Sequence, residues 1–179
     1  RSSDLGLFPK GDVADKVQWH LSEASAKNTN IDCGALVAGA SAGKRFGSDT
    51  YFVGGTAEMI SGPRVWGRAP VPIAIAGTSS PEVASTYRTG TFSYRIPVAD
   101  GPHSVILTFV EPTLHAGDRV FSVLANGQKV VSNLDVSAAA GGVLTAYEQR
   151  FEVTARDGMV ILEFRPTKGD AIVSAIEVQ

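Results

Sequence analysis

Alternating apolar and polar side chains dominate the second half of the chain. Phe92, Tyr94, Ile96 and Val98 alternate with polar or small residues, which is the two-residue period of a half-buried strand. The same period returns in residues 105–109, 119–125, 128–134, 147–155, 159–165 and 171–178. At least seven short strands without a long helix predict an all-β fold, in which two antiparallel sheets form a sandwich.

Turn dipeptides separate several of these predicted strands. They are Asp100-Gly101, Asn126-Gly127 and Asp157-Gly158. An Asn-Gly pair tolerates the positive φ angles of a tight type I′ turn. Residues 119–125 and 128–134 are therefore predicted to pair as a hairpin.

Two parts of the chain depart from the alternating pattern. Residues 1–29 contain helix-breaking glycine and proline and only a weakly amphipathic stretch at 12–27, so we interpret them as a linker or the remnant of a preceding domain. Residues 54–85 are rich in glycine, proline and serine and are predicted to be an irregular loop, functional or loosely ordered. The folded domain is expected to span residues 30–179.

The composition is that of a globular domain without a strong charge field. Of the 179 residues, 44% are hydrophobic and 19% are charged, and 16 basic against 18 acidic residues give a net charge of −2. This balance does not attract a nucleic-acid backbone or an anionic membrane surface. Since no apolar run approaches the roughly 20 residues that span a bilayer, neither nucleic acid nor membrane insertion is expected.

Residues with catalytic potential do not form a known constellation in the sequence. Residues 39–43 match the Gly-x-Ser-x-Gly spelling of a nucleophile elbow around Ser41, but no helical pattern follows them, and that motif needs one. His20, His103 and His115 lack metal-ligand spacing, and the carboxylates are scattered singly, so no acid–base pair is nominated. The chain is therefore predicted not to be an enzyme.

The single cysteine, Cys33, excludes an internal disulfide and a thiolate metal cluster. It lies in a segment that is predicted to be a strand, at residues 31–35. We interpret it as a small buried packing residue rather than a reactive thiol.

Several short segments are informative as an ordered set. They are residues 31–35, 49–55 (Asp-Thr-Tyr-Phe-Val-Gly-Gly), 86–94 (Thr-Tyr-Arg-Thr-Gly-Thr-Phe-Ser-Tyr), 107–111, 119–123, 126–127, 134–136 and 171–178. In this order they resemble the malectin-like family of carbohydrate-binding modules, a branch of the galactose-binding-like jelly rolls. The resemblance implies a jelly-roll β-sandwich and a non-catalytic, sugar-binding function.

The resemblance also implies a binding site on loops at one end of the sandwich, where aromatic side chains stack on the apolar face of a sugar ring. Tyr51 is the family's tyrosine, with Asp49 beside it, and Asp170 falls close to a late acidic residue. Thr89 stands where the family has another aromatic residue, and Thr113 and Leu114 replace an aromatic pair. The family's stacking surface is therefore largely missing, which weakens the expectation of glucose-disaccharide binding.

Three further residues complete the candidate ligand-binding set. Trp66, in the long loop, supplies either a new stacking face or an anchor that packs on the sandwich. Arg88 either contacts the ligand or, following the family's pattern, serves as the structural partner of a carboxylate such as Glu111. His115 follows the substituted aromatic pair. The complete candidate set is Asp49, Tyr51, Trp66, Arg88, Thr89, His115 and Asp170.

The expected function is that of a module that targets a larger secreted glycan-active or cell-surface protein to an oligo- or polysaccharide, in an extracellular or periplasmic location. The alternative is a protein-interaction or spacer module with a degenerate sugar site, whose partners are other domains of its parent protein. No cofactor is expected. Galactose-binding-like domains often carry a structural Ca²⁺, which needs several oxygen ligands, but no clustered Asp/Asn loop gives it a place here.

Overall fold

The computed structural model describes residues 28–62 and 72–179. The strands are β1 (Thr29–Asp32), β2 (Gly39–Ser41), β3 (Lys44–Phe46), β4 (Phe52–Met59), β5 (Thr86–Pro97), β6 (Gly101–Val110), β7 (Val120–Ala125), β8 (Gln128–Leu134), β9 (Ala146–Ala155), β10 (Met159–Lys168), β11 (Ala171–Val173) and β12 (Ala175–Val178). Two one-turn helices, α1 (Pro81–Ala84) and α2 (Val136–Ala140), accompany them.

Ten of these strands form two antiparallel sheets that face each other, and β2 and β3 form a separate two-stranded sheet. One sheet has the order β1-β12-β6-β9, and the other has the order β11-β5-β10-β7-β8, with β4 on the free edge of β5. Strands β10 and β11 pair with successive halves of β5, β10 opposite residues 92–97 and β11 opposite residues 88–90. The predicted all-β antiparallel sandwich is confirmed.

The core lies between the two sheets and is built by alternate residues of their inner faces. Phe92 stacks on Phe164 with ring centroids 4.5 Å apart, and Tyr94 meets Phe92 edge-on at 6.0 Å. From the opposite sheet, Phe109 contacts Phe121 at 5.6 Å. Offset and edge-to-face pairs of this kind add to the stabilisation that comes from burial alone.

The predicted hairpin turn is present. Asn126 and Gly127 have φ angles of 47° and 80°, as a type I′ turn requires, and β7 pairs with β8 across them. The predicted closing strand at 171–178 is instead two strands, because the chain changes sheets at Ser174 between β11 and β12.

The prediction of an irregular loop over residues 54–85 is wrong for its described ends. Strand β4 extends to Met59, and α1 precedes β5. Gly54 and Gly55 lie within β4 and do not end it. Their positive φ angles of 80° and 69° accompany a register shift of β4 against β5. Trp66 and residues 1–27 lie outside the described residues.

Ser41 lies at the end of a small hairpin formed by β2 and β3, with Ala42 and Gly43 at the turn. Its hydroxyl donates a hydrogen bond of 2.8 Å to the carboxylate of Glu82. This segment has no strand–turn–helix geometry, as expected from the sequence. Close by, Phe46 packs with Val83 and Ala175 on the outer face of the four-stranded sheet.

The two ends of the sandwich differ in character. One end, the loop end, carries residues 111–119 between β6 and β7 and residues 169–170 between β10 and β11. The other, the turn end, carries the short turns after β5, β7 and β9. The first and last strands of the fold pair with each other so that Thr29 lies opposite Val178, toward the turn end.

Cys33 is fully buried in the core at the loop end of β1. Burial raises the pKa of its thiol well above the ordinary value, so the thiolate is suppressed. Among the described residues, no helix is long and apolar enough to cross a bilayer.

Candidate functional site

The carboxylate of Asp49 connects three parts of the chain. One oxygen, Oδ2, accepts hydrogen bonds from the backbone N–H of Gly34 (2.8 Å) and from Nε and Nη2 of Arg88 (3.0 and 2.7 Å). The other, Oδ1, accepts from the hydroxyl of Tyr94 at 2.7 Å. The side chain is 5% exposed, so both oxygens are used within the protein and little of the carboxylate faces solvent.

Arg88 is the buried partner of Asp49. Its side chain is 4% exposed, and Nη1 donates to the carbonyl of Gly54 at 2.8 Å. Arg88 thus pairs with a carboxylate, but Glu111, named from the sequence as an example of that carboxylate, is the wrong one. Arg88 faces the segment that carries Asp49, whereas Glu111 is paired with Arg119.

Arg119 organises the loop end of the sandwich. Its Nε donates to Glu111 at 2.6 Å, and its Nη1 donates to the carbonyl of Asp170 at 2.8 Å and, more weakly, to the hydroxyl of Thr89 at 3.4 Å. The other oxygen of Glu111 accepts from the N–H groups of Thr113 and Leu114. This Arg119 network therefore holds β5, the 112–115 loop and the 169–170 turn in one place.

The residues around this network form a polar surface that we call the loop-end surface. It consists of Glu58, Tyr87, Thr89, Thr113, Leu114, His115 and Asp170. Glu58, Thr113, His115 and Asp170 are exposed, and Tyr87, Thr89 and Leu114 are half-buried. Of the seven candidate ligand-binding residues, Thr89, His115 and Asp170 meet here.

Tyr87 is the aromatic residue of the loop-end surface. It lies two positions before Thr89 on β5, on the same face, and opposite Glu58 of β4. Its ring packs against the core from the side, and its hydroxyl makes no hydrogen bond to any residue in the described ranges. Burial, and then the charge of Glu58, raise the pKa of Tyr87, so the hydroxyl is a neutral donor at ordinary pH.

Tyr51 lies away from these residues. It is 40% exposed, and its carbonyl accepts from the N–H of Arg95, six residues along β5 from Thr89. At about 3.3 Å per strand residue, their backbones are separated by roughly 15–20 Å. Tyr51 and Thr89 were expected at the same end of the sandwich, but the register of β4 on β5 directs Tyr51 toward the turn end.

A second surface is apolar. Leu36 and Val37, which follow β1, are 93% and 75% exposed, and Tyr51, Phe52, Val53 and Met59 on and beside β4 are 40–64% exposed. We call these six residues the apolar edge, because four of them lie on or beside β4, a free edge of its sheet, while Leu36 and Val37 lie between β1 and β2. Large exposed apolar side chains are typical of an interaction surface.

The loop-end surface offers groups for recognition. It combines an aromatic ring, hydroxyls, an imidazole and two carboxylates, all of which can contact a polar ligand without forming a bond to it. Within residues 28–62 and 72–179, no three His, Cys, Asp or Glu side chains cluster as a metal site.

Comparison with solved structures reproduces this fold. The chain is similar to a beta-glucuronidase of Bacteroides uniformis (TM-score 0.73, 16% identity), and the likeness covers 88% of this chain and 18% of that one. It is also similar to a chain in the complex of the plant peptide RALF23 with FER and LLG2 (TM-score 0.69, 19% identity, 84% of this chain and 47% of that one). The ANX2 ectodomain from Arabidopsis thaliana is a third (TM-score 0.68, 20% identity, 85% and 41%).

These likenesses concern one portion of larger proteins. The chain spans about a fifth of the glucuronidase and less than half of the receptor ectodomains, and at such identities they establish the fold alone. No curated protein is significantly similar to the chain in sequence. The family model described as the Malectin domain matches residues 27–179. Because this match covers most of the chain, the chain belongs to the Malectin domain family.

Proposed function

We propose that this domain is a non-catalytic carbohydrate-binding module whose ligand, a short oligosaccharide, binds at the loop-end surface. Malectin domains are binding modules that take carbohydrate. The observation that carries the proposal is the Arg119 network, because it holds Thr89, the 112–115 loop and Asp170 next to Tyr87 on one surface.

Sugar recognition needs an apolar face and a set of hydrogen-bonding groups. In the proposed complex the exposed part of the Tyr87 ring contacts the C–H face of a sugar ring. Glu58 and Asp170 accept hydrogen bonds from its hydroxyls, and His115 supplies a further polar contact. Since the Tyr87 ring is half-buried, it offers less stacking area than a free aromatic side chain. We therefore expect a dissociation constant of about 0.1–1 mM.

The proposed role of such binding is to attach a larger extracellular or periplasmic protein to polysaccharide. The chain covers 18% of a beta-glucuronidase and 41% of a receptor ectodomain in the structures it resembles. A domain of this size within a longer polypeptide fits a targeting role, in which the module supplies the contact with polysaccharide and its neighbours supply the activity.

The experiment is a calorimetric titration of the whole chain with a glycan panel that includes maltose. Variants of the proposed site are then titrated with the glycan that binds most tightly. Tyr87→Ala should weaken binding five- to thirtyfold, the effect of about 1–2 kcal/mol of stacking energy. Tyr87→Phe keeps the ring and should bind within about threefold of the parent. Lys129→Ala, at an exposed position of β8 near the turn end, is the matched control.

The comparison with Tyr51→Ala decides between two locations on the same domain. If Tyr51→Ala abolishes binding and Tyr87→Ala does not, the sugar binds near β4 and the loop-end proposal is wrong. If no glycan in the panel binds at all, the carbohydrate function itself is refuted.

A second function, protein interaction, is favoured by the apolar edge. Leu36 and Val37 are largely exposed, which costs solubility unless a partner covers them. Under this proposal the partner is another domain of the same polypeptide. A longer natural form of the protein should then protect the amides of β4 from hydrogen exchange relative to the 179-residue chain, while the Leu36→Ser/Val37→Ser variant of that form should lose the protection.

A further inference from the structure

A polar pocket lies at the turn end, on the opposite end of the sandwich from the loop-end surface. Its volume is about 270 Å³. It opens between β9, the edge strand of the four-stranded sheet, and the turn that joins β7 to β8. We call it the turn-end pocket.

The back wall of the turn-end pocket is fixed by Asn126. Its side-chain N–H₂ donates to the carbonyl of Thr154 at 2.9 Å, and its side-chain oxygen accepts from the N–H of Ile161 at 2.8 Å. Its own N–H donates to the carbonyl of Ile161 at 2.8 Å. The bond to Thr154 ties the β7–β8 turn to β9 of the other sheet, and the two bonds to Ile161 tie it to β10 of its own sheet, so the wall is shaped before any ligand arrives.

The lining of the pocket has an apolar part and a polar part. Pro102, Ala125 and Val153 are its apolar residues. The rim carries Gln128 on β8 and, at alternate positions along one face of β9 and its end, Glu152, Thr154 and Arg156. All four are exposed, and none of these four side chains makes a hydrogen bond or an ion pair to another described residue.

The charges on the rim favour a neutral ligand. Glu152 and Arg156 are four residues apart in an extended chain, about 13 Å between their backbones, and they do not pair with each other. One negative and one positive group at opposite sides suit a ligand with hydroxyls on both sides, since a carboxylate accepts from hydroxyls and a guanidinium donates to their oxygens. The ammonium and carboxylate groups of a free amino acid are much closer together than Glu152 and Arg156, so this spacing does not match an amino acid ligand.

We propose that the turn-end pocket is a second binding site, which takes a single neutral sugar ring. The apolar lining residues contact the C–H groups of the ring, and Gln128, Glu152 and Arg156 hydrogen-bond to its hydroxyls. The pocket is slightly smaller than the roughly 300–1,000 Å³ of pockets for drug-sized ligands, which fits one ring rather than a chain. This site is independent of the loop-end surface and does not rest on it.

The test is an amide NMR titration of the whole chain with glucose, galactose, mannose and glucuronate, each to about 50 mM. We expect at least one neutral hexose to shift the amides of Gln128, Glu152 and Thr154, with a dissociation constant in the millimolar range, and glucuronate to bind more weakly. Glu152→Ala and Arg156→Ala should each weaken binding at least fivefold. Arg150→Ala, on the same face of β9 but outside the pocket, is the matched control and should not change it.

Either of two kinds of result would overturn the proposal. The first is a failure at the pocket itself: no hexose shifts the pocket amides, or Glu152→Ala and Arg156→Ala both bind as tightly as the parent does. The other is that Tyr87→Ala removes the shifts at Gln128 and Glu152, because the only sugar site would then be the loop-end surface. Conversely, loss of binding at the loop-end surface alone leaves the turn-end proposal intact, so the two proposals fail separately.

Discussion

The guanidinium of Arg88 lies 3.4 Å from the centre of the Phe52 ring. The edge of the guanidinium is bound by Asp49, with which Arg88 forms a buried ion pair, while Phe52 remains 43% exposed. The ring thus covers a cation whose charge is already compensated. This arrangement stabilises the fold by a cation–π contact on top of an ion pair, and it makes Arg88 a structural residue.

Removing the Asp49 carboxylate should destabilise the domain strongly. Asp49→Ala leaves Arg88 charged and buried without a carboxylate to compensate its charge, and we expect a loss of about 3–5 kcal/mol in the free energy of unfolding. Tyr94→Phe removes only one hydrogen bond and should cost about 1–2 kcal/mol. Urea denaturation of both variants measures the difference. If Asp49→Ala were as stable as the parent but bound sugar more weakly, Asp49 would be a ligand contact instead.

Asp32 makes stability depend on pH in an unusual direction. Burial is the main cause that raises its pKa from 3.8 to about 6, against the lowering effect of the hydrogen bond from Thr86, with a smaller increase from Asp49. The native state therefore holds this proton more tightly than the unfolded chain. The stability that Asp32 contributes is full below pH 4 and is lost as the pH rises from about 4 to 6.

Replacing Asp32 by asparagine tests this direction. Asp32→Asn avoids a buried charge, and we expect a gain of about 1–3 kcal/mol at pH 7.5 that shrinks toward zero at pH 3.5. Urea denaturation at the two pH values measures it. Asp118→Asn, at an exposed carboxylate, should change stability by less than about 0.5 kcal/mol at both. A larger gain at pH 3.5 than at pH 7.5 would contradict the assignment.

Two glycines with similar backbone angles should respond very differently to alanine. Gly34 and Gly127 have φ angles of 86° and 80°. A Cβ on Gly34 would lie 2.5 Å from the carbonyl oxygen of Tyr87, whereas at Gly127 it meets no atom of the described structure within 4 Å. Gly127→Ala should cost about 1 kcal/mol for the strained φ alone. Gly34→Ala should cost at least about 2 kcal/mol more, and equal melting temperatures would refute the close contact.

Arg119 should be irreplaceable even by lysine. A lysine ammonium can still pair with Glu111, but it lacks the planar fork that also reaches Asp170 and Thr89. Arg119→Lys should therefore speed hydrogen exchange at the amides of Thr113 and Leu114 and weaken sugar binding several-fold. Unchanged exchange at these two amides would show that Glu111 holds the loop without Arg119.

The sequence predicted the paired strands well and the free edge poorly. Strands β5, β9 and β10 are more buried on one face than on the other, so their residues alternate visibly, and Asn126-Gly127 marks the hairpin turn. All eight residues of β4 are exposed, so no alternation distinguishes it, and Gly54-Gly55 suggested a loop. The interpretation of residues 1–29 as a linker stays a prediction.

The candidate site was predictable only in part, because it depends on strand register. Arg119 contacts Glu111, Thr89 and Asp170, which are 8, 30 and 51 residues away in the sequence. No sequence pattern indicates that these residues come together. Glu58 faces Tyr87 only because β4 pairs with β5. Tyr87 itself could have been predicted as a site residue, since it lies two positions from Thr89 in an alternating strand.

The pairing of Thr29 with Val178 determines how this domain is oriented when it is part of a longer polypeptide. The chain enters and leaves the sandwich on adjacent strands, about 5 Å apart, and both points lie toward the turn end. The loop-end surface therefore faces away from both attachment points. Because Thr29 and Val178 lie side by side, inserting residues 28–179 into a surface loop of another protein would not separate the ends of that loop.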